Sequence, residues 1–346
     1  MTNKLFREGG PLNIRSTGND QYSMTITLPK DDDGRVAREC PDEECSPGYF
    51  KVKSGTGITD GQVEAFCPYC RRSGEPNDFT TKEQQRYAKD HVIREAHEGI
   101  DRMMKDALGL GHSNRRTIDK GGFISMEISY KPGTRPAVRR PLEEQVRRDV
   151  VCPHCGLDHS AYGLATWCAD CGADIFLTHV DAELAVVTKM LGDIERRREL
   201  FGNRIAAKDL ENCLEDTVSI FEAVMKIIVR RAIRKRGVTT EEEERIFRQV
   251  GNSFQNIRRT EEFLSARLDL QALPGLSPEE RDALSAIFEK RHPITHNLGV
   301  VDRKYLENAA TAAREGREVS VTPDEITQAL ATASRVFRAL GEQLLA

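Results

Sequence analysis

Cys152-Pro153-His154-Cys155, then twelve residues, then Cys168-Ala169-Asp170-Cys171-Gly172 is the stretch that decides the architecture. Each Cys-x-x-Cys pair forms a knuckle whose backbone N–H groups point at the thiolates. The gap between the pairs is long enough for a hairpin that closes them into one tetrahedron. Four thiolates complete the coordination sphere of a zinc ion and leave no open position. The expected role is therefore structural, with ion binding contributing directly to folding.

A second group lies upstream, with four residues between Cys40 and Cys45, and Cys67-Pro68-Tyr69-Cys70 after a gap of 21. The wide first pair is within what zinc sites tolerate, and Gly48 to Val52 reads as the strand that follows it. The cofactor expectation is two structural zinc ions, on Cys40, Cys45, Cys67 and Cys70 and on Cys152, Cys155, Cys168 and Cys171. In the 152–171 segment the spacing resembles the zinc-ribbon family. His154 and His159 lie near four cysteines that already suffice, so they read as supporting or exposed residues. The ninth cysteine, Cys213, sits in a helical pattern and reads as a small buried side chain. Tyr69, Arg71 and Arg72 at the knuckle tip either touch a phosphate backbone or stand in solvent.

The 346 residues allow two or three domains. With 38% hydrophobic and 31% charged residues the chain is polar without being disordered. A formal net charge of −4 excludes a global polycation, so any nucleic-acid contact must come from local patches. No stretch is apolar enough to span a membrane. The polar first twenty residues have no apolar signal core. A cytoplasmic protein without membrane contact is expected, and its cysteines are then metal ligands rather than disulfides.

Tyr22 to Leu28 alternates and reads as a strand. Ile124 to Tyr130 alternates in the same way and is expected to pair with it. Between them, spacings of three and four from Ile93 to Leu108 predict an amphipathic helix. From Asp181 onward the periodicity is helical. Runs are expected over 182–201, 205–236 and 240–268, then helices opened by Ser277-Pro278 and Thr322-Pro323, each with Glu at the capping-box position. The expected divisions are a lead-in (1–20), an α+β domain with the first zinc group (21–133), a Pro/Arg linker (134–150), the second zinc group (151–180) and an all-α domain (181–346). The fold class is therefore α+β multidomain.

Three places carry an arginine followed by a histidine five or six residues on: Arg86 to His91, Arg148 to His154 and Arg291 to His296. The third follows an amphipathic helix (Leu284, Ile287, Phe288) in the all-helical part. RNA supplies its own nucleophile, the 2′-OH. An imidazole can take that proton or protonate the leaving 5′-oxygen, and a guanidinium can neutralise charge on the scissile phosphate. In Arg291-His292-Pro293-Ile294-Thr295-His296-Asn297 the arginine is followed directly by a polar residue. With the closing helix, residues 182–346 resemble the HEPN domains.

That resemblance implies a helical bundle and a metal-independent endoribonuclease, with His296 as base or acid, Arg291 on the phosphate, and His292 and Asn297 as lesser supports. It also implies RNA as substrate, a homodimer through the helical domain, and an antitoxin or defence-system partner, as in toxin–antitoxin or antiviral-defence effectors. Pro293 is expected to interrupt the helix. Glu222, inside an apolar run, either orients a basic group at the site or lies exposed. The six cations between Lys226 and Arg236 either track an RNA backbone or form a solvated face. The competing reading is a non-catalytic zinc-ribbon and helical module that docks nucleic acid or a protein.

Overall fold

In this computed structural model the described residues are 5–111, 113–119, 125–141, 145, 148–309 and 313–345. Contacts divide the chain into two units. The first comprises Met1–Arg147, Cys155–Tyr162 and Ala169–Gly172. The second comprises Arg148–His154, Gly163–Cys168 and Ala173–Ala346.

The first unit opens with a hairpin, β1 (Arg15–Gly18) and β2 (Gln21–Ser23). Its turn residues Asn19 and Asp20 have φ of 48° and 57°, the paired left-handed geometry of a tight hairpin turn. The central sheet has β4 (Tyr49–Lys53) between β3 (Arg35–Glu39) and β10 (Asp158–Ala161), all antiparallel. Val36 pairs with Val52 and Arg38 with Phe50, so these four side chains share one face. Phe50 meets Phe79 edge-on at 6.1 Å. On the opposite face Lys51 is buried and tied to Asp31 at 2.9 Å. Two short pairs complete the strands: β5 (Ala65–Phe66) with β6 (Ser73–Gly74), and β7 (Arg115–Asp119) with β8 (Ser125–Ser129).

The expected strand over 22–28 is thus reduced to β2, and its expected partner is wrong. β2 pairs with β1 and β8 with β7; Ile124 lies outside the described residues. Alternation identifies a strand face without choosing its partner, and short loops close at lower entropic cost than a span of about a hundred residues. Helix α1 (Lys82–Ala107) starts at a reciprocal cap between Thr81 and Gln84. The buried Gln84 amide donates to the Ala37 carbonyl at 3.0 Å, fixing the helix to β3. Its apolar row is less covered than the periodicity suggests: Ile93, Ile100 and Met104 are all exposed.

The second unit begins with β9 (Arg148–Val151) beside α2 (Phe176–Gly192), followed by α3 (Ile194–Phe201) and the long α4 (Asn203–Lys235). Then come α5 (Thr240–Val250), α6 (Ile257–Leu268), α7 (Pro278–Asn297), α8 (Arg303–Asn308) and α9 (Pro323–Leu344). Leu214, Val218, Phe221, Met225 and Ile228 of α4 are fully buried. Phe221 meets Phe288 of α7 at 5.1 Å and Phe337 of α9 at 5.4 Å, so α4 forms the spine of the bundle. The expected outline holds: an α+β region bearing two four-cysteine groups, and a helical C-terminal region. Two expected helices are divided. The first breaks at Asp193. The second breaks between Gly251, with φ of 48°, and Asn256, whose side chain caps α6. Among the described residues no helix is long and apolar enough to cross a membrane.

His179 of α2 is fully buried, and its Nδ1 accepts a hydrogen bond from the Ala165 N–H at 2.8 Å. Burial pushes its pKa down to about 4. The folded unit therefore binds this proton less readily than the unfolded chain, whose histidine titrates near 6.5. Stability is complete above pH 6.5 and falls as the pH drops towards 4, by ~3 kcal/mol. Urea melts at pH 7 and pH 4.5 measure this. A His179→Gln variant should lose that part of the pH dependence; an unchanged dependence rules His179 out.

Candidate functional site

The four sulfurs of Cys40, Cys45, Cys67 and Cys70 lie within 4.8 Å of one another, as do those of Cys152, Cys155, Cys168 and Cys171. In the first group Cys40 and Cys70, and Cys45 and Cys67, stand 3.7 Å apart. Thiolates about 2.3 Å from one tetrahedral ion lie about 3.8 Å from each other, so the spacing fits a single ion. Burial raises the Cys67 thiol and pushes Cys45 up to about 12, with Cys70 and Cys40 adding to the latter. Against the upward push of burial, hydrogen bonds from Arg72 and the other cysteines instead lower the Cys70 thiol, and a cation would let the raised thiols ionise beside it. Backbone N–H groups of Asp42 and His154 point at Cys40 and Cys152 at 3.5 and 3.4 Å, the expected knuckle geometry.

Neighbouring residues do other work. Tyr69 is not a phosphate contact. Its hydroxyl donates to the Tyr49 carbonyl at 2.7 Å and accepts from the Tyr162 N–H at 3.0 Å. His154 is exposed, whereas His159 is fully buried on β10. Cys213 is buried in α4, where apolar neighbours surround it.

In the second unit, Arg291, His292 and His296 line one cavity of about 470 Å³. α7 carries them, started by a reciprocal cap between Ser277 and Glu280. The expected interruption at Pro293 does not occur; the helix runs through it to Asn297. The missing N–H costs one bond to the Glu289 carbonyl near the helix end, where a break has little left to disrupt. Arg291 and His296 are then about 140° apart around the axis. The cavity spans that angle because α8 and the start of α6 complete it. The rings of His292 and His296, one turn apart, lie 5.1 Å from each other. Burial and the Lys304 ammonium lower the His292 pKa, opposed by Asp302, whose carboxylate is 3.8 Å away.

Asn297 does not belong to this group. Its amide donates to the Val300 carbonyl at 2.7 Å, closing the turn after α7. The other two Arg–His pairs also lie elsewhere: Arg148 ion-pairs with Glu183 at 3.2 Å, and His91 packs edge-on against Tyr87.

No protein-family model, curated protein or solved structure matches the chain.

The cavity also holds residues that sequence reading missed. Gln255 lies in the 3-10 turn Ser253–Gln255 before α6, and its carbonyl accepts from Arg291 Nη1 at 2.8 Å. Its amide donates to Glu222 at 2.6 Å, and Lys226 holds the other Glu222 oxygen at 2.6 Å. Glu222 therefore orients the site arginine through an intermediary. Arg291 Nε is buried without a hydrogen-bond partner. Arg258 and Arg259 occupy the first turn of α6, where no acid is present, and face the cavity together with Lys304. Cations at the positive end of a helix add to its field instead of cancelling it, an arrangement suited to anions. The Gly251-Asn252 break and the Asn256 cap are the signals that would have placed these residues between helices.

The basic run on α4 is occupied internally. Arg230 reaches Glu243 at 2.9 Å, and Arg234 shares the same buried carboxylate. Arg231 pairs with Asp174, and Arg236 donates to the carbonyls of Arg267 and Leu268. The last three residues of the run, Arg234, Lys235 and Arg236, are at the same time exposed, so the end of the run is a solvated face whose charges are largely matched by neighbouring groups.

Proposed function

We propose that the helical unit is a metal-independent endoribonuclease of the HEPN type, and that both four-cysteine groups hold structural zinc. The observation that supports the reading is the convergence of Arg291, His292 and His296 on one cavity. Arg258, Arg259 and Lys304 add charge there, and none of the three has a carboxylate within ion-pair distance among the described residues. The site is built for phosphate: one guanidinium held by Gln255 with its Nε unspent, and the exposed His296 imidazole lining the same cavity.

In this reading Arg291 binds the scissile phosphate. His296 takes the 2′-OH proton as the 2′-oxygen attacks phosphorus, or protonates the departing 5′-oxygen. Where His296 protonates the departing 5′-oxygen, His292, whose pKa is lowered by burial and by Lys304, is the imidazole suited to take the 2′-OH proton. The products are a 2′,3′-cyclic phosphate and a 5′-hydroxyl. The homodimer and the antitoxin or defence-system partner that the resemblance implies belong to the same proposal.

The test is RNA cleavage by the purified chain, wild type beside His296→Ala, with brief chelation and zinc content checked. Cleavage by the wild type alone, leaving cyclic-phosphate ends, supports it. Binding without cleavage by either protein favours the non-catalytic module. A more selective probe is Gln255→Leu. Loss of one hydrogen bond to a charged group is worth about 1.5–3 kcal/mol. Cleavage should slow by roughly tenfold or more while the melting temperature stays near wild type. An unchanged rate would show that Arg291 needs no orienting partner.

A further inference from the structure

The first unit contains a cavity of about 320 Å³ over the face of β3 and β4 that carries Val36, Val52 and Phe50. Phe79 and Leu157 extend its apolar wall. Arg38 stands on this same face, opposite Phe50 in the register. Its side chain is half-buried, lines the cavity, and makes no hydrogen bond or ion pair with any described residue. Burial strips hydration from this guanidinium, and the Asp170 carboxylate on the same wall offsets only part of that cost, without a hydrogen bond.

The other charged groups on the wall are Lys53, which reaches Asp158 at 3.5 Å, and Asp170, whose oxygens are already engaged. Oδ2 accepts from the Ile58 N–H at 2.9 Å and Oδ1 from the Gln62 amide at 3.1 Å. These bonds fasten the 57–62 loop over the cavity. The approach is so close that a Cβ on Gly57 would fall 2.1 Å from Oδ2, and Gly57 has φ of +74°. Among the charged groups of the wall, Arg38 is the one left with its planar fork of donors unspent, which matches a carboxylate with two oxygens. The negative charge of Asp170 disfavours a dianion there. The volume sits at the small end of ligand cavities, which run from about 300 to 1,000 Å³.

We propose that this cavity binds a small aromatic or aliphatic monocarboxylate, its carboxylate held by Arg38 and its body against Phe50, Phe79 and Val36. The site is independent of the cavity on α7, and its test does not involve RNA.

Calorimetric titration of the full-length protein with phenylacetate, and separately with the neutral isostere phenylacetamide, tests it. Saturable binding of phenylacetate is expected, with the amide at least about tenfold weaker because it offers no charge to the guanidinium. Arg38→Met should abolish the preference, and Arg38→Lys should weaken carboxylate binding by losing the fork. Metal content of each variant reports whether the unit is folded. If Arg38→Met loses metal, the comparison of the two ligands on the wild type decides alone. Absence of phenylacetate binding, equal affinity for the amide, or unaltered binding by a folded Arg38→Met each overturns the proposal.

Discussion

Replacing Cys67 with serine is expected to cost the first unit most of its fold. Cys67 is fully buried and 3.7 Å from the Cys45 sulfur, so the substitution removes one corner of the tetrahedron. A serine hydroxyl does not ionise near neutral pH and does not replace a thiolate. Four-cysteine zinc sites in small domains contribute apparent binding energies of about 10–16 kcal/mol, comparable with the 5–15 kcal/mol that stabilises a whole domain. Losing one thiolate should thus lower metal content from two ions per chain to one and abolish the cooperative melt of this unit. The buried thiols, raised well above neutrality, must release protons to bind the ion, so retention should also weaken steadily as pH falls. Cys213→Ala is the contrast. Its sulfur lies in the helical core, and that variant should keep both ions. Elemental analysis with thermal melts decides the matter. Two ions and an unchanged melt in Cys67→Ser would remove the structural role.

His296→Ala is expected to reduce RNA cleavage by about 10²–10⁴-fold, the usual worth of a positioned acid or base. Arg291→Ala should cost about as much as loss of one oxyanion donor, roughly 10²–10³. Arg291→Lys should recover little, because a lysine ammonium cannot both accept orientation from Gln255 and present a planar pair of donors to phosphate. Neither variant removes a buried apolar side chain, so melting should change little; His296 is exposed. If both variants cut RNA at the wild-type rate, the cavity is not the catalytic centre. If His296→Ala alone retains activity, the proton transfers belong to His292.

The features legible in the sequence were those with local chemistry. Cys-x-x-Cys spacing encodes its own geometry, because ligands three residues apart reach one ion whatever surrounds them. The caps at Ser277 and Thr322 are equally local, and both helices start where those residues predict. What depends on distant partners was less legible. Alternation at Tyr22 and Ile128 marked strand faces but said nothing of β1 or β7. The cations from Lys226 to Arg236 looked free because Glu243 and Asp174, which occupy them, lie outside the run. Glu222 is bound to Arg291 only through Gln255, which sits in a turn hidden inside what read as one continuous helix. Asn297, adjacent to the motif, serves the backbone of its own turn.

The occupied cations of α4 also bear on encounter kinetics. Charges neutralised by their own protein condense few counterions and exert little pull beyond a Debye length of about 8–10 Å. On a molecule of net charge −4, the cluster of Arg258, Arg259 and Lys304 at the cavity is one place where such attraction can act. Such a surface steers weakly from afar and selects at short range. If the proposed ribonuclease reading holds, an RNA should be held chiefly where a flexible segment enters the cavity.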